Sequence, residues 1–552
     1  MRKMMMAAAA LCCMAMTMIS CTNDIGDNPV ISPEPEALAD VTVLFYGHGG
    51  GNLDQFLIGN MRQFYQAQPS CYKNVKIAFE YKFSSEENLP SWNNEDAKNK
   101  LSNYLNEVEE DVAEAELDDQ FYLLWMDPKG NSTFRFVLDP MQTLRRQAAG
   151  NYLDGNNCDF SHPDSLTNFI NWAARQCPAH KYVLVLADHG GGYFPSDEID
   201  NNDAALARMT RGVIYDNGHK GQHFTAKSLT RAIKAADIHL DAVYYDACLM
   251  NCMEYLFELK DVTDYIVAST YTVQGSGGIF DTLVECLSGA SENLDYAFGK
   301  YVEYAARNWE KNYKGSSPFY SDITTTSTAN LNRLGELLRE FTDRLCDTYQ
   351  HGTDLQHQQI DNVTRNAVKI ASSYPYYDIS KYTTAIMNTL PEVYDKEFCN
   401  ELKESFISCA IGQYTSQYLL DHGYEVNYSV LLGANGSYAY TMWDFGYSQD
   451  WTTVIRRTLT QIDYYQADGT ISKYEVIDGD FTAEGESNYS LHFTGNSRWG
   501  STLESVYEQT AFDRIVGWSR WLRLNQQEPS LWCPSDFGYS LPDGDVSDDP
   551  FI

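Results

Sequence analysis

Apolar runs without polar alternation recur through the first half of the chain. Val41-Thr-Val-Leu-Phe-Tyr46, Val75-Lys-Ile-Ala-Phe79, Lys181-Tyr-Val-Leu-Val-Leu-Ala187, Asp241-Ala-Val-Tyr-Tyr-Asp246 and Tyr265-Ile-Val-Ala-Ser269 all have this build. A strand with one wet face alternates; a run that does not alternate predicts a strand buried on both faces, as in a parallel sheet covered by helices. Between these runs, Leu53–Tyr65, Asp164–Arg175, Thr225–Ala236 and Leu249–Lys260 carry apolar residues at helical spacing. Leu166, Phe169, Ile170 and Ala173 share one face of the second helix, and Ser161 or Asp164 can cap it. Phe121–Trp125 and Thr133–Val137 flank Pro128–Asn131, a hairpin signal. Strands alternating with helices at this spacing predict an α/β fold over residues 41–294, a three-layer α/β/α domain with a mostly parallel sheet.

The texture changes after about Asp295. Tyr296–Lys311, Asn330–Tyr349 and Gln358–Ser372 read as helices, a helical extension over 295–425. Residues 426–552 read as a β-rich aromatic C-terminal region. It contains Tyr428–Leu432, Ser437–Thr441 and Tyr489–Phe493, with Trp518, Trp521 and Trp532 more in the manner of core than of a ligand platform.

Two of the buried strands end in reactive side chains. One closes on Asp188-His189-Gly190, the other on Asp246-Ala247-Cys248. Catalytic groups in such sheets sit at the carboxyl ends of the strands, so one imidazole and one thiol are expected at the same sheet edge. A thiol becomes a strong nucleophile when a neighbouring base takes its proton. Cys248 is the candidate nucleophile and His189 the candidate base. The backbone N–H groups of Gly190 and Cys248 are the candidate oxyanion donors. A helix starting at Leu249 would set its positive end near Cys248 and favour the thiolate. His189-Gly-Gly-Gly192 also suggests a lipase-type oxyanion motif, but the chain has no G-x-S-x-G elbow.

Composition narrows the partners. A formal net charge of −36 repels phosphate and argues against nucleic acid. Thirteen cysteines in 552 residues are too sparse for a disulfide scaffold, and no CxxC pair suggests zinc. Cys248 and Cys252 are four apart, which suits neighbours on a helix. No metal ligand set stands out. Asp197, Glu198, Asp200 and Asp203 could hold Ca²⁺, although a solvated loop is the simpler reading. No cofactor is required by these motifs, and Ca²⁺ remains compatible with them.

The N-terminus reads as a targeting segment. Arg2 and Lys3 precede a short apolar stretch, Ala7–Ile19, and Met18-Ile-Ser-Cys21 resembles a bacterial lipobox. The expectation is a signal peptide over 1–20, a lipidated Cys21 and a tether over 21–40. That would anchor the chain by lipid to an outer membrane, on the periplasmic or cell-surface side.

His189-Gly190 and Asp246-Ala-Cys248-Leu-Met250, each after an apolar strand, resemble the clostripain family of cysteine peptidases, a relative of caspases, gingipains and legumains. Tyr46–Leu53, the Leu166–Trp172 helix, Tyr182–Gly192, and Glu254 with Val267-Ala-Ser269 resemble the same family. The resemblance implies a caspase-like fold, endopeptidase activity on peptide or protein substrates, and His189 and Cys248 as the dyad. It implies a primary specificity pocket shaped by Asp246, with Ser269 and Thr270 on the following loop. Many members prefer Arg or Lys, and some use Ca²⁺. Here Thr270-Tyr-Thr-Val-Gln274 lacks the acidic residue that the family often carries in that loop. Members of the clan are often matured by a cut between the His and Cys units. Pro195–Arg211 is the corresponding polar loop, and Arg208 and Arg211 are its candidate self-cleavage sites. The alternative is a catalytically silent surface lipoprotein that binds peptide or glycan on the same fold.

Overall fold

The five non-alternating runs are five neighbouring strands. The computed structural model describes residues 38–85, 130–153, 158–193, 212–219, 222–273, 277–312, 322–367, 370, 376–421, 428–432 and 507–524, with four short strands between 463 and 492. Strands β1 (Ala39–His48), β2 (Val75–Lys82), β3 (Thr133–Val137) and β4 (Ala179–Ala187) are followed by the small ribbon of β5 (Val213–Asp216) and β6 (Gln222–Phe224). Next come β7 (Leu240–Asp246), β8 (Thr263–Ala268), β9 (Asp322–Ser327), β10 (Tyr376–Asp378), β11 (Ala410–Thr415) and β12 (Ser429–Leu431). The main sheet has eight strands in the order β11-β9-β8-β7-β4-β1-β2-β3. Its centre, β2-β1-β4-β7-β8, is parallel. The flanking strands β3, β9 and β11 pair antiparallel.

Helices cover both faces. Along each central strand, alternate residues enter opposite cores, so a continuous apolar run is two interleaved period-2 patterns. Val43, Phe45, Val183, Val185, Ala242 and Tyr244 pack with α1 (Asp54–Gln63), and beyond it with α6 (Phe280–Gly289) and α7 (Leu294–Asn312). The short α2 (Leu144–Gly150) adds Leu144 and Ala148 to that side. Leu44, Tyr46, Leu184, Leu186, Val243 and Tyr245 pack on the other face with α3 (Pro163–Gln176), α4 (Ala226–Lys234) and α5 (Met253–Leu259). This is the three-layer α/β/α arrangement with a mostly parallel sheet that the pattern predicts. Helix α3 is capped by His162, whose ring accepts from Asp164 N–H, with Pro163 at the first helical position. Helix α4 begins with a reciprocal Thr225–Ser228 capping box.

Beyond residue 294 the helices do not form a layer of their own. Helices α8 (Leu331–His351), α9 (Asp354–Arg365), α10 (Ile379–Thr389), α11 (Lys396–Cys409) and α12 (Gln417–Asp421) surround β9, β10 and β11. Strands β9 and β11 extend the main sheet, and Leu338, Phe341, Ile386 and Phe406 join the same core as Leu44. The pattern missed both strands because β9 reads Asp-Ile-Thr-Thr-Thr-Ser, polar by composition yet wholly buried at Thr324, Thr325 and Thr326. Helix α9 starts four residues before the expected Gln358, at a Thr353–Gln356 capping box.

The last described segment closes this core. Trp518 and Trp521, around α13 (Ala511–Val516) and α14 (Trp518–Leu524), are fully buried in it. Tyr507 Oη donates to Glu254 Oε1 at 2.8 Å, and Ala511 N–H donates to Glu258 Oε1 at 2.7 Å. Ser490–His492 is a short strand paired with Glu475–Asp478. Among the described residues no helix is long and apolar enough to cross a membrane. Cys21, the strand expected at Phe121–Trp125, the acidic cluster from Asp197 to Asp203, Arg208, Arg211, Ser437–Thr441 and Trp532 lie outside the described residues.

Candidate active site

The ladder between β4 and β7 pairs Ala187 with Asp246 in parallel register. Asp188 N–H continues it by donating to Asp246 carbonyl O at 3.3 Å. Two residues past the last rung on each side stand His189 and Cys248, level with each other and both half-buried. Gly190 lies against the Cys248 main chain. A Cβ at Gly190 would sit 2.2 Å from Cys248 O and 2.8 Å from Cys248 N, so only glycine permits the approach.

His189 is set from below and from one side. Its N–H donates to Asp188 Oδ1 at 2.6 Å, and the other oxygen of Asp188 accepts from Tyr215 N–H at 2.6 Å. Asp188 therefore ties the β4 end to β5. Its ring Nε2 lies 2.7 Å from Asn52 Oδ1, on the loop between β1 and α1. Burial pushes the His189 pKa below its ordinary value; Asp188 opposes that shift and His48 adds to it. The imidazole is consequently neutral at neutral pH, the form a general base needs.

Cys248 is held by the loop after β8. Val273 N–H donates to Cys248 Sγ at 3.2 Å. Burial pushes the thiol up to about 11; the Val273 N–H works against this and Asp246 reinforces it. The expected helix-terminus contribution is absent. Helix α5 begins at Met253, after a turn in which Leu249 adopts φ 62°. Leu249 and Asn251 donate instead to Tyr271 O and Ser269 O, both at 2.9 Å, which draws residues 249–251 onto the β8 loop rather than into a helix. Cys252 is the residue before α5 and is fully buried, so Cys248 and Cys252 do not share a helix.

Asp246 is buried one turn of the pleat below Cys248. Asn60 Nδ2 donates to its Oδ2 at 3.0 Å, while Oδ1 has no hydrogen-bond partner among the described residues. Burial raises its pKa to about 7, against the pull of Gly278 N–H and Asn60. Ser269 and Thr270 turn inward. Ser269 Oγ donates to Asp322 Oδ1 at 2.7 Å, and Thr270 Oγ1 accepts from Asn251 Nδ2 at 3.0 Å. Asp322, at the start of β9, also accepts from Thr270 N–H at 3.0 Å and Tyr271 N–H at 2.8 Å. One carboxylate thus organises the loop that reaches the thiol. Sequence reading did not reach Asp322 because its strand carries no apolar run. Asn52 and Asp188 were within reach: the first follows the glycines that break strand β1, and the second adjoins His189.

A second polar cluster lies beside the His189 end. Lys82 Nζ binds Asp216 Oδ1 at 2.8 Å and Oδ2 at 2.7 Å, and His219 Nδ1 lies 2.9 Å from Asp216 Oδ2. Asp159, Asp216 and His219 offer ligand atoms within 4.8 Å of one another. They do not fit Ca²⁺. That ion takes six to eight oxygens, whereas this set offers an imidazole and already holds an ammonium.

The model of the clostripain family matches residues 96–480. Clostripain from Hathewaya histolytica is 25% identical over 168 residues, which is 26% of this chain and 30% of that protein. The match therefore spans under a third of the relative's length. Among solved structures, a secreted C11 cysteine protease from Bacteroides thetaiotaomicron is similar with a TM-score of 0.47 and 15% identity, over 69% of this chain and 87% of that one. An inactive zymogen C11 protease from Parabacteroides distasonis gives 0.44 and 15%, over 76% and 98%. Because the family match runs over both strand ends, with His189 and Cys248 inside it, and covers well over half of the sequence, the chain belongs to the clostripain family.

Proposed function

We propose that the chain is a cysteine endopeptidase that hydrolyses peptide bonds through Cys248 and His189. The observation that carries this reading is the level placement of the two side chains at the ends of adjacent parallel strands. In the reaction, Cys248 gives its proton to His189 and its sulfur adds to the substrate carbonyl carbon. The N–H groups of Gly190 and Cys248, brought together by their close backbone contact, are the donors for the oxyanion. His189 returns the proton to the departing amine, and water then releases the acyl group from sulfur.

Cleavage after Arg or Lys is the specificity that Asp246 supports. A buried carboxylate with one oxygen unpartnered among the described residues is the partner that a guanidinium or ammonium needs, and the absence of an acidic residue in 270–274 leaves Asp246 to supply it. On this reading Arg208 and Arg211 are the sites at which the chain cuts itself, and Cys21 carries the lipid that anchors it to an outer membrane. A peptidyl electrophile with Arg or Lys next to the warhead tests the central claim. It should label Cys248 in the wild-type chain and nothing in Cys248→Ala. An unlabelled, proteolytically inert wild-type chain would instead favour the silent binding protein. Fractionation of Cys21→Ala, expected in the soluble fraction, tests the anchor.

A further inference from the structure

We propose that Asn52 is a positioning residue that fixes the tautomer of His189. The proposal rests on the reading of His189 as the base for Cys248. An amide oxygen only accepts hydrogen bonds, so the ring nitrogen 2.7 Å from Asn52 Oδ1 carries the proton. That nitrogen is Nε2, which leaves the lone pair on Nδ1 and makes Nδ1 the atom that, on the proposed mechanism, takes the Cys248 proton. A neutral imidazole without such a partner exchanges between two tautomers, and only one of them is a base in the required direction.

The loop that carries Asn52 is built onto the His189 segment. Gly50 has φ +54°, and a Cβ there would lie 2.7 Å from His189 Cδ2 and 2.1 Å from Asp188 Oδ1. Gly51 N–H donates to Ser84 Oγ at 2.9 Å, and Leu53 N–H donates to Gly49 O at 2.8 Å. The loop therefore lies against the His189 ring with its backbone fixed at both ends. Asn52 itself is exposed, so its side chain has no share in the core.

The chemistry of the partner matters as much as its position. A carboxylate at this point would hold the imidazolium and raise the ring's pKa. An amide orients the ring and leaves it uncharged, in keeping with a His189 pKa below the ordinary value. The charged and titratable groups facing His189 are Asp188, which pulls the pKa up, and His48, which pushes it down. Asn52 adds direction without shifting that balance.

The test compares Asn52→Ala and Asn52→Asp with wild type on one peptide substrate, across pH. Asn52→Ala should lower kcat by about 10- to 100-fold, the worth of one well-placed hydrogen bond to a group that becomes charged, with KM and thermal midpoint unchanged. Asn52→Asp keeps the acceptor, so it should recover most of kcat, with the acidic limb of kcat/KM moved up by about one unit or more. Nitrogen NMR of His189 gives a reading independent of turnover: a proton on Nε2 in wild type, and mixed tautomers in Asn52→Ala. Wild-type kcat and pH profile in Asn52→Ala would overturn the proposal, as would an Nδ1-protonated ring in wild type. If Asn52→Asp were as poor as Asn52→Ala with an unmoved limb, the role would be steric and the proposal would fall. Loss of Cys248 labelling in the wild-type chain would identify a failure of the peptidase reading itself.

Discussion

The main-chain N–H of Val273 donates to Cys248 Sγ at 3.2 Å, while the Val273 carbonyl oxygen lies 3.8 Å from the same sulfur. One peptide residue of the β8 loop thus holds the thiol from two sides. The N–H favours the thiolate, but burial outweighs it and the pKa rises to about 11. His189 is pushed the other way, below its ordinary value. Both groups are therefore neutral at neutral pH, and the proton passes to His189 only when substrate is engaged. Alkylation of the free protein by iodoacetamide should be slow at pH 7 and rise about tenfold per pH unit towards pH 11 at Cys248. Mass spectrometry of the Cys248 peptide checks this. A rate that levels off below pH 7 would show a resting thiolate–imidazolium pair instead.

Removing either strand-end group should cost activity with little cost to the fold, because both are half-buried and Cys248 packs only at the margin of the apolar core. Cys248→Ala should lower peptide hydrolysis by about 10⁴-fold or more, and His189→Ala by a similar factor, since the two act as a unit. Thermal midpoints of both variants should stay within a few degrees of wild type. Turnover near wild type in Cys248→Ala would rule out the thiol as nucleophile.

Asp246 predicts a dependence on pH in both stability and substrate choice. Its folded pKa, about 7, lies above the ordinary carboxyl value. The folded chain therefore holds an extra proton between that ordinary value and about pH 7, and stability falls as pH rises through this window. Asp246→Asn should match wild type near pH 4 and be the more stable of the two at pH 8, by denaturant titration. The same variant should lose at least about tenfold in kcat/KM on Arg and Lys peptides, because the charge partner is gone. In wild type, KM for those peptides should fall as pH crosses 7.

The apolar runs carried the centre of the sheet because burial on both faces leaves few polar positions in the middle of β1, β4 and β7. The same runs located His189 and Cys248, since the strand ends are where the apolar pattern stops. What lies around the two was less visible. Leu249 breaks the expected helix because residues 249–251 bond to the β8 loop, an energy that no local pattern records. Asp322 begins a strand of buried threonines whose composition reads as loop. Trp518 and Trp521 could be identified as core residues, but not the surface they would close.

Asp322 carries the last prediction. Its carboxylate accepts from Ser269 Oγ, Thr270 N–H and Tyr271 N–H, all buried. From there Tyr271 O receives Leu249 N–H, and Val273 N–H reaches Cys248 Sγ, so the carboxylate fixes both the turn after the nucleophile and the contact on its sulfur. Burial raises the Asp322 pKa, and hydrogen bonds from the main chain and side chain of Thr270, the Ser269 hydroxyl and the Tyr271 N–H oppose that rise, which means that these donors are what make a carboxylate tolerable there. Asp322→Ala would strand three buried donors at about 1–3 kcal/mol each, so a loss of at least about 3 kcal/mol in unfolding free energy is expected. Asp322→Asn keeps one acceptor but turns an NH₂ towards Thr270 N–H. It should fold, unfold at lower denaturant, and lose kcat/KM through a displaced loop while Cys248 remains alkylatable. Denaturant titration and peptide kinetics on the two variants measure this. An Asp322→Ala chain with wild-type stability would mean that the β8 loop holds its shape without the carboxylate.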